Sequence, residues 1–112
     1  MKPEDSCQLL KIYIGEDARY GGHNLYTAVV YKLKELGIAG VTVTRAIEGY
    51  GKGKAIRTGR ILDLSSSLPI IIEAVDTADQ IQKVIPIISS MVNEGMVMVT
   101  DVNVIKYGKE SK

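Results

Sequence analysis

Residues 70–72 are three consecutive isoleucines, an unbroken apolar run inside the stretch Leu68–Val75 that reads as a strand. Isoleucine is branched at Cβ and suits extended backbone. Neighbouring side chains of a strand point to opposite faces. An unbroken apolar run therefore needs cover on both sides, one side by helices and the other by something else. The rest of this 112-residue chain has to supply those covers.

Its hydrophobic spacing does so in a definite order. Leu9–Ile14 alternates, with Leu10, Ile12 and Ile14 on one face and Lys11 and Tyr13 on the other, as a strand does. Gly15–Gly22 reads as a loop. Asn24 is placed to cap a helix through its side-chain oxygen, and Leu25, Val29, Leu33 and Leu36 recur at helical spacing up to Gly37, where a left-handed residue is wanted. Val41–Glu48 is a second strand, with Arg45 on the parity of Val41, Val43 and Ile47. A buried unpaired Arg is costly, so Arg45 should reach a carboxylate, a subunit boundary or a ligand. Gly49–Gly59 is a glycine-rich connection, Ile61–Leu64 a short extended piece and Ser65–Ser67 a turn. After the third strand, Thr77 and Gln80 form a capping box. The stripe Ile81, Val84, Ile85, Ile88, Met91 and Val92 makes a second helix that continues past Pro86 to Gly95. Met96–Val99 and Val102–Ile105 give a fourth extended region.

The order βαββαβ predicts an α+β domain, a ferredoxin-like sandwich with an antiparallel sheet and two helices on one face. The opposite face carries Val, Ile and Tyr, too apolar for water, and oligomerisation through it is expected. The length fits one domain over 1–112, with polar tails at 1–8 and 108–112. No apolar run reaches the roughly 18 residues of a membrane span, and the first residues lack a signal core. A cytoplasmic protein with no membrane insertion is expected. One Cys permits no internal disulfide, and one His with one Cys gives no metal set.

Charge is where the chain departs from ordinary patterning. Residues 45–60 carry Arg45, Lys52, Lys54, Arg57 and Arg60 against Glu48, a local +4 on a chain of formal net charge +1, so the remainder sums to −3. This concentration suits a small anion or an anionic partner better than nucleic acid. Aromatic stacking positions for RNA are also missing from the strands. Interleaved glycines allow backbone N–H groups to converge on phosphate, with Lys and Arg supplying charge. Gly49-Tyr50-Gly51-Lys52-Gly53-Lys54 has these ingredients, yet it is neither a P-loop nor a dinucleotide fingerprint. A hairpin with solvated charges would use the same residues, and spacing alone leaves both readings open. No nucleophile–base arrangement stands out, so no catalytic residue is assigned. Glu16 and Asp17 read as solvated loop carboxylates, and His23 as a surface residue beside a helix start.

The run Val41-Thr42-Val43-Thr44-Arg45-Ala46-Ile47-Glu48-Gly49-Tyr50-Gly51-Lys52 resembles the second strand and loop base of PII-type signal proteins. Leu68-Pro69 leading to Ile72-Glu73 continues the likeness. With Lys11–Asp17, Leu25-Tyr26 and Ala39–Val43, the chain is similar to the uncharacterised PII-like family of bacteria and archaea over about residues 9–107. The resemblance implies a homotrimer with open sheet faces turned inward and adenine-nucleotide clefts between subunits. It implies that Gly49, Tyr50 and Gly51 form the loop base, that Lys52 meets phosphate, and that Lys54, Arg57 and Arg60 lie on a mobile loop that docks on a regulated transporter or enzyme. PII proteins carry a second glycine-rich loop before the last strand. Here Asn93-Glu94-Gly95 runs straight into Met96, so a smaller effector such as AMP is expected, with no covalent cofactor.

The expectation is a non-enzymatic sensor that binds nucleotide or a similar anion at Arg45 and Gly49–Lys52. The alternatives are a ligand-independent interaction module and a small enzyme using Arg45, Lys52 and a carboxylate on a phosphoester.

Overall fold

Two strands form the middle of the structure because their alternation is the cleanest in the chain. β1 (Cys7–Gly15) and β7 (Pro69–Thr77) pair antiparallel with Ile12 opposite Ile72. Leu10, Ile12, Ile14, Ile70, Ile72 and Ala74 are buried on one face of that pair. The computed structural model describes residues 5–50, 57–58 and 68–108. Gly51, Lys52, Lys54 and Arg60, with the expected piece 61–64 and turn 65–67, lie outside the described residues.

In chain order, β1 is followed by β2 (Arg19–Tyr20), β3 (His23–Asn24), α1 (Leu25–Glu35), β4 (Gly40–Arg45), β5 (Glu48–Gly49) and β6 (Arg57–Thr58). Then come β7, α2 (Ala78–Met91) and β8 (Met96–Val102). The main sheet has the order β4-β7-β1-β8, antiparallel throughout. Leu25, Val29 and Leu33 of α1 and Ile81, Val84, Ile88 and Met91 of α2 join the sheet residues in one core. Both helices therefore cover the same face, as the βαββαβ order predicts. Pro86 sits on the exposed side of α2, where a lost helical hydrogen bond is least costly.

The helix ends show how local chemistry fixes the fold. Gly37 has φ +85°, its N–H donates to Lys34 O at 3.1 Å, and Ile38 N–H donates to Leu33 O at 3.1 Å. This is the Schellman arrangement, sealed by the buried pair Ile38 and Leu33. The hydroxyl oxygen of Thr77 accepts from Gln80 N–H at 3.3 Å and caps α2. Asn24 is the N-cap residue of α1, but its side chain makes no cap bond. Its Oδ1 accepts from Arg19 Nη1 at 2.8 Å instead. The competing donor arises because 15–22 is more than a loop. β2 and β3 form a two-residue hairpin about Gly21 and Gly22, with φ +56° and +84°, the signs a type I′ turn requires.

Two strand boundaries also differ from the expectation. β4 stops at Arg45, and Glu48–Gly49 belongs to a separate ladder with β6. β8 is one continuous strand through Thr100 and Asp101 that ends at Val102, so of the expected second piece, 102–105, residues 103–105 are not strand. Residues 103–107 instead leave β8 at one sheet edge and cross the open face. Val104 and Tyr107 border a hollow with Leu9, Thr42, Glu73 and Val75, and the Tyr107 hydroxyl donates to Ala39 O at 3.2 Å beside the other edge.

Gly95 shows why the turn before β8 is short. Its φ is +152°, and a Cβ there would stand 2.3 Å from Tyr13 O. Gly95→Ala should therefore cost about 1–3 kcal/mol of strain, read as a lower urea midpoint. Gly40→Ala, with nothing within 4 Å of its Cβ position, should leave the midpoint nearly unchanged; equal losses in both would refute this account.

Candidate functional site

The basic glycine-rich stretch begins where three elements are tied at one end of the sheet. Ala46 N–H donates to Pro69 O at 2.9 Å, and Glu16 N–H donates to Leu68 O at 2.8 Å. These bonds fasten the end of β4 and the turn after β1 to the start of β7. Arg45 is opposite Ile70, on the helix-facing parity with Val41 and Val43. Its position there raised the question of a partner, and the partner is Glu16: Arg45 Nη2 pairs with Glu16 Oε2.

That pair changes the reading of both residues. Glu16 is not a free loop carboxylate, and the guanidinium of Arg45 already has a counter-charge. The Arg45 side chain remains 56% exposed and Glu16 31%, so an anion can still reach the cation by sharing or displacing the acid. The sequence signal was the charged residue on an apolar parity, although spacing did not say which acid would meet it.

Beyond Arg45 the chain leaves the main sheet. Ile47 is largely exposed, as is Tyr50. Between them, Glu48 and Gly49 pair antiparallel with Thr58 and Arg57. Gly49 is thus a ladder residue, and a Cβ there would meet only Pro69 Cγ at 4.0 Å. Its backbone is extended and uncrowded, so neither space nor φ demands glycine at that position. Arg45, Gly49 and Tyr50 are brought to the same end of the sheet.

Other singled-out residues fall in plain structural roles. Cys7 is buried, with Sγ 3.4 Å from Asp5 O. His23 is exposed in the small hairpin opposite Tyr20. Among the described residues no group of three or more His, Cys, Asp or Glu could hold a metal ion. No helix among them is long and apolar enough to cross a membrane. Sequence reasoning overlooked Asp76, which is buried and accepts from Ala39 N–H at 2.8 Å and Thr77 N–H at 2.7 Å. Its signal was an acid on the helix-facing parity of β7, next to a cap residue.

The open sheet face carries Leu9, Lys11 and Tyr13 of β1, Ile71, Glu73 and Val75 of β7, Thr42 and Thr44 of β4, and Met96 and Met98 of β8. A shallow hollow of about 430 Å³ lies here, under Val104 and Tyr107, and not at the root of the basic loop.

This architecture is that of the PII-like proteins. A PII-like signalling protein of Thermus thermophilus, described as putative, superposes with a TM-score of 0.60 at 21% identity, covering 89% of this chain and 88% of that one. The CPII protein of Thiomonas intermedia K12, solved with ADP and bicarbonate, gives 0.58 at 19% identity over 90% of each chain. The GlnK–ATP complex of B. subtilis gives 0.51 at 16% identity, over 92% and 85%. Within that fold the chain belongs to the DUF190 family, described as "Uncharacterized ACR", whose model matches residues 7–104. A UPF0166 protein of Aquifex aeolicus is 39% identical over 98 residues, covering 88% of this chain and 92% of the relative. A UPF0166 protein of Methanocaldococcus jannaschii is 37% identical over 101 residues, covering 89% and 93%.

An exposed ion pair contributes about 0.2–1 kcal/mol at most. Arg45→Ala should accordingly shift the urea-unfolding free energy by no more than about 1 kcal/mol. A larger loss would mean that Arg45 is a structural anchor rather than a residue available to a ligand.

Proposed function

We propose that this protein is a non-enzymatic, PII-like sensor of the cytoplasm, a homotrimer that binds an adenine nucleotide or similar anion in the clefts between subunits. Arg45, Gly49, Tyr50, Gly51 and Lys52 form its anion site. Lys54, Arg57 and Arg60 lie on an arm that contacts a regulated protein, a transporter or an enzyme. The observation that supports this reading is the short ladder in which Glu48 and Gly49 of β5 pair with Thr58 and Arg57 of β6, close in the chain to the half-exposed side chain of Arg45. Two neighbours of the same fold were solved with adenine nucleotides, which supports the ligand class. AMP is favoured over ATP because α2 ends at Met91, the connection to β8 is only the four residues 92–95, and Gly95 lies tight against Tyr13 O. That turn offers no second glycine-rich loop for further phosphates.

Ligand binding acts by stabilising one arrangement of the arm over another, to the extent that its affinity for the two differs. The Arg45–Glu16 pair favours one competing reading, a ligand-independent module whose loop docks on an acidic protein surface, because the cation at the root is already neutralised.

Calorimetric titration with AMP, ADP and ATP separates the two. The sensor should give saturable AMP binding, tighter than ATP. Lys52→Ala should weaken it about tenfold or more, as expected for losing a charge-assisted contact of about 1.5–3 kcal/mol. Glu16→Gln releases Arg45 from competition worth up to about 1 kcal/mol and should tighten AMP by up to about fivefold. Heats equal to buffer dilution for all three nucleotides would remove the nucleotide reading and leave the interaction module.

A further inference from the structure

We infer that the open sheet face joins subunits through a charge key, Lys11 of one copy reaching Glu73 of the next. The inference rests on the trimer proposed above and names the residues that give it register. Lys11 and Glu73 are directly opposite one another on β1 and β7. They are the two charged residues on the open-face positions of the four described main-sheet strands. Around them stand Leu9 and Tyr13 on β1, Ile71 and Val75 on β7, and Met98 across the other edge of β1.

Within one subunit the pair is slack. Lys11 Nζ is 3.9 Å from Glu73 Oε2, and the side chains are 32% and 39% exposed. The ammonium also stands 5.6 Å from the centre of the Tyr13 ring. Meanwhile Glu73 borders the hollow of about 430 Å³ whose other walls include Leu9, Val75 and Val104. A shallow hollow with aliphatic side chains and a carboxylate on its walls suits a lysine entering from outside, its methylenes on Leu9, Val75 and Val104 and its ammonium at the acid.

The face carries one charge of each sign, so it is complementary to itself. In a head-to-tail ring of three, each copy can give its lysine to the next copy and receive one in return, and the ring closes. A packing that sets Lys11 against Lys11, or Glu73 against Glu73, of the next copy brings like charges together on a largely apolar face, so such registers are disfavoured. The pair thus selects one register among the many that an apolar face alone would permit.

The experiment uses the full chain. Sedimentation should show the wild type as a trimer. Lys11→Glu and Glu73→Lys, which put two like charges on every face, should each raise the concentration needed for assembly at least tenfold while circular dichroism stays native. The same-chain exchange of both residues should restore assembly. Carbodiimide, which joins an amine to a carboxylate without a spacer, should link Lys11 to Glu73 between labelled and unlabelled subunits of an isotopically mixed wild-type sample. Single variants that assemble like wild type, an exchange that does not recover, or cross-links confined to one chain would overturn the charge key and leave the trimer standing. A wild type that sediments as a monomer would remove both.

Discussion

The antiparallel pairing of β1 with β7 is the constraint on which everything else in this protein depends. Ile12 stands opposite Ile72 at the middle of that ladder, and both are fully buried. Because side chains alternate, a slip of one residue would carry Ile70, Ile72 and Ala74 from the helix-covered face to the open one. Such a slip would strip α1 and α2 of their packing surface. It would also move Pro69 away from Ala46, and Leu68 away from Glu16, the two bonds that root the basic loop. Core and site therefore share one register.

Much of this was legible in the residues, for physical reasons that can be named. The two helical stripes describe faces that must be buried, and the core takes Leu25, Val29 and Leu33 from one and Ile81, Val84, Ile88 and Met91 from the other. Gly37 was readable because a chain turning out of a helix wants a left-handed residue. Asn24 was half readable: its place follows from local sequence, but its oxygen goes to Arg19, a donor presented by a hairpin that only Gly21 and Gly22 announce. The break after Arg45 and the end of β8 depend on pairing partners rather than on propensity, and alternation alone continues through both.

The site was legible in kind and not in contact. That Arg45 needed an answer followed from its parity, yet the answer came from a turn 29 positions earlier in the chain. Glycines 49 and 51 looked alike in sequence, while Gly49 proves to be an ordinary ladder position. Spacing reports which residues could act together; only the sheet's topology decides which of them meet at one end.

The peptide unit of Ala39 has a mechanical consequence. Its N–H is held by the carboxylate of Asp76 and its carbonyl by the phenol of Tyr107. β4 and β8 are opposite borders of the sheet and share no ladder, so they could in principle splay like the ends of a fan. The last described turn of chain ties those borders together across the intervening strands. One phenolic hydrogen bond thus acts as a cross-brace, coupling Tyr107 to the junction between the first helix and its following strand.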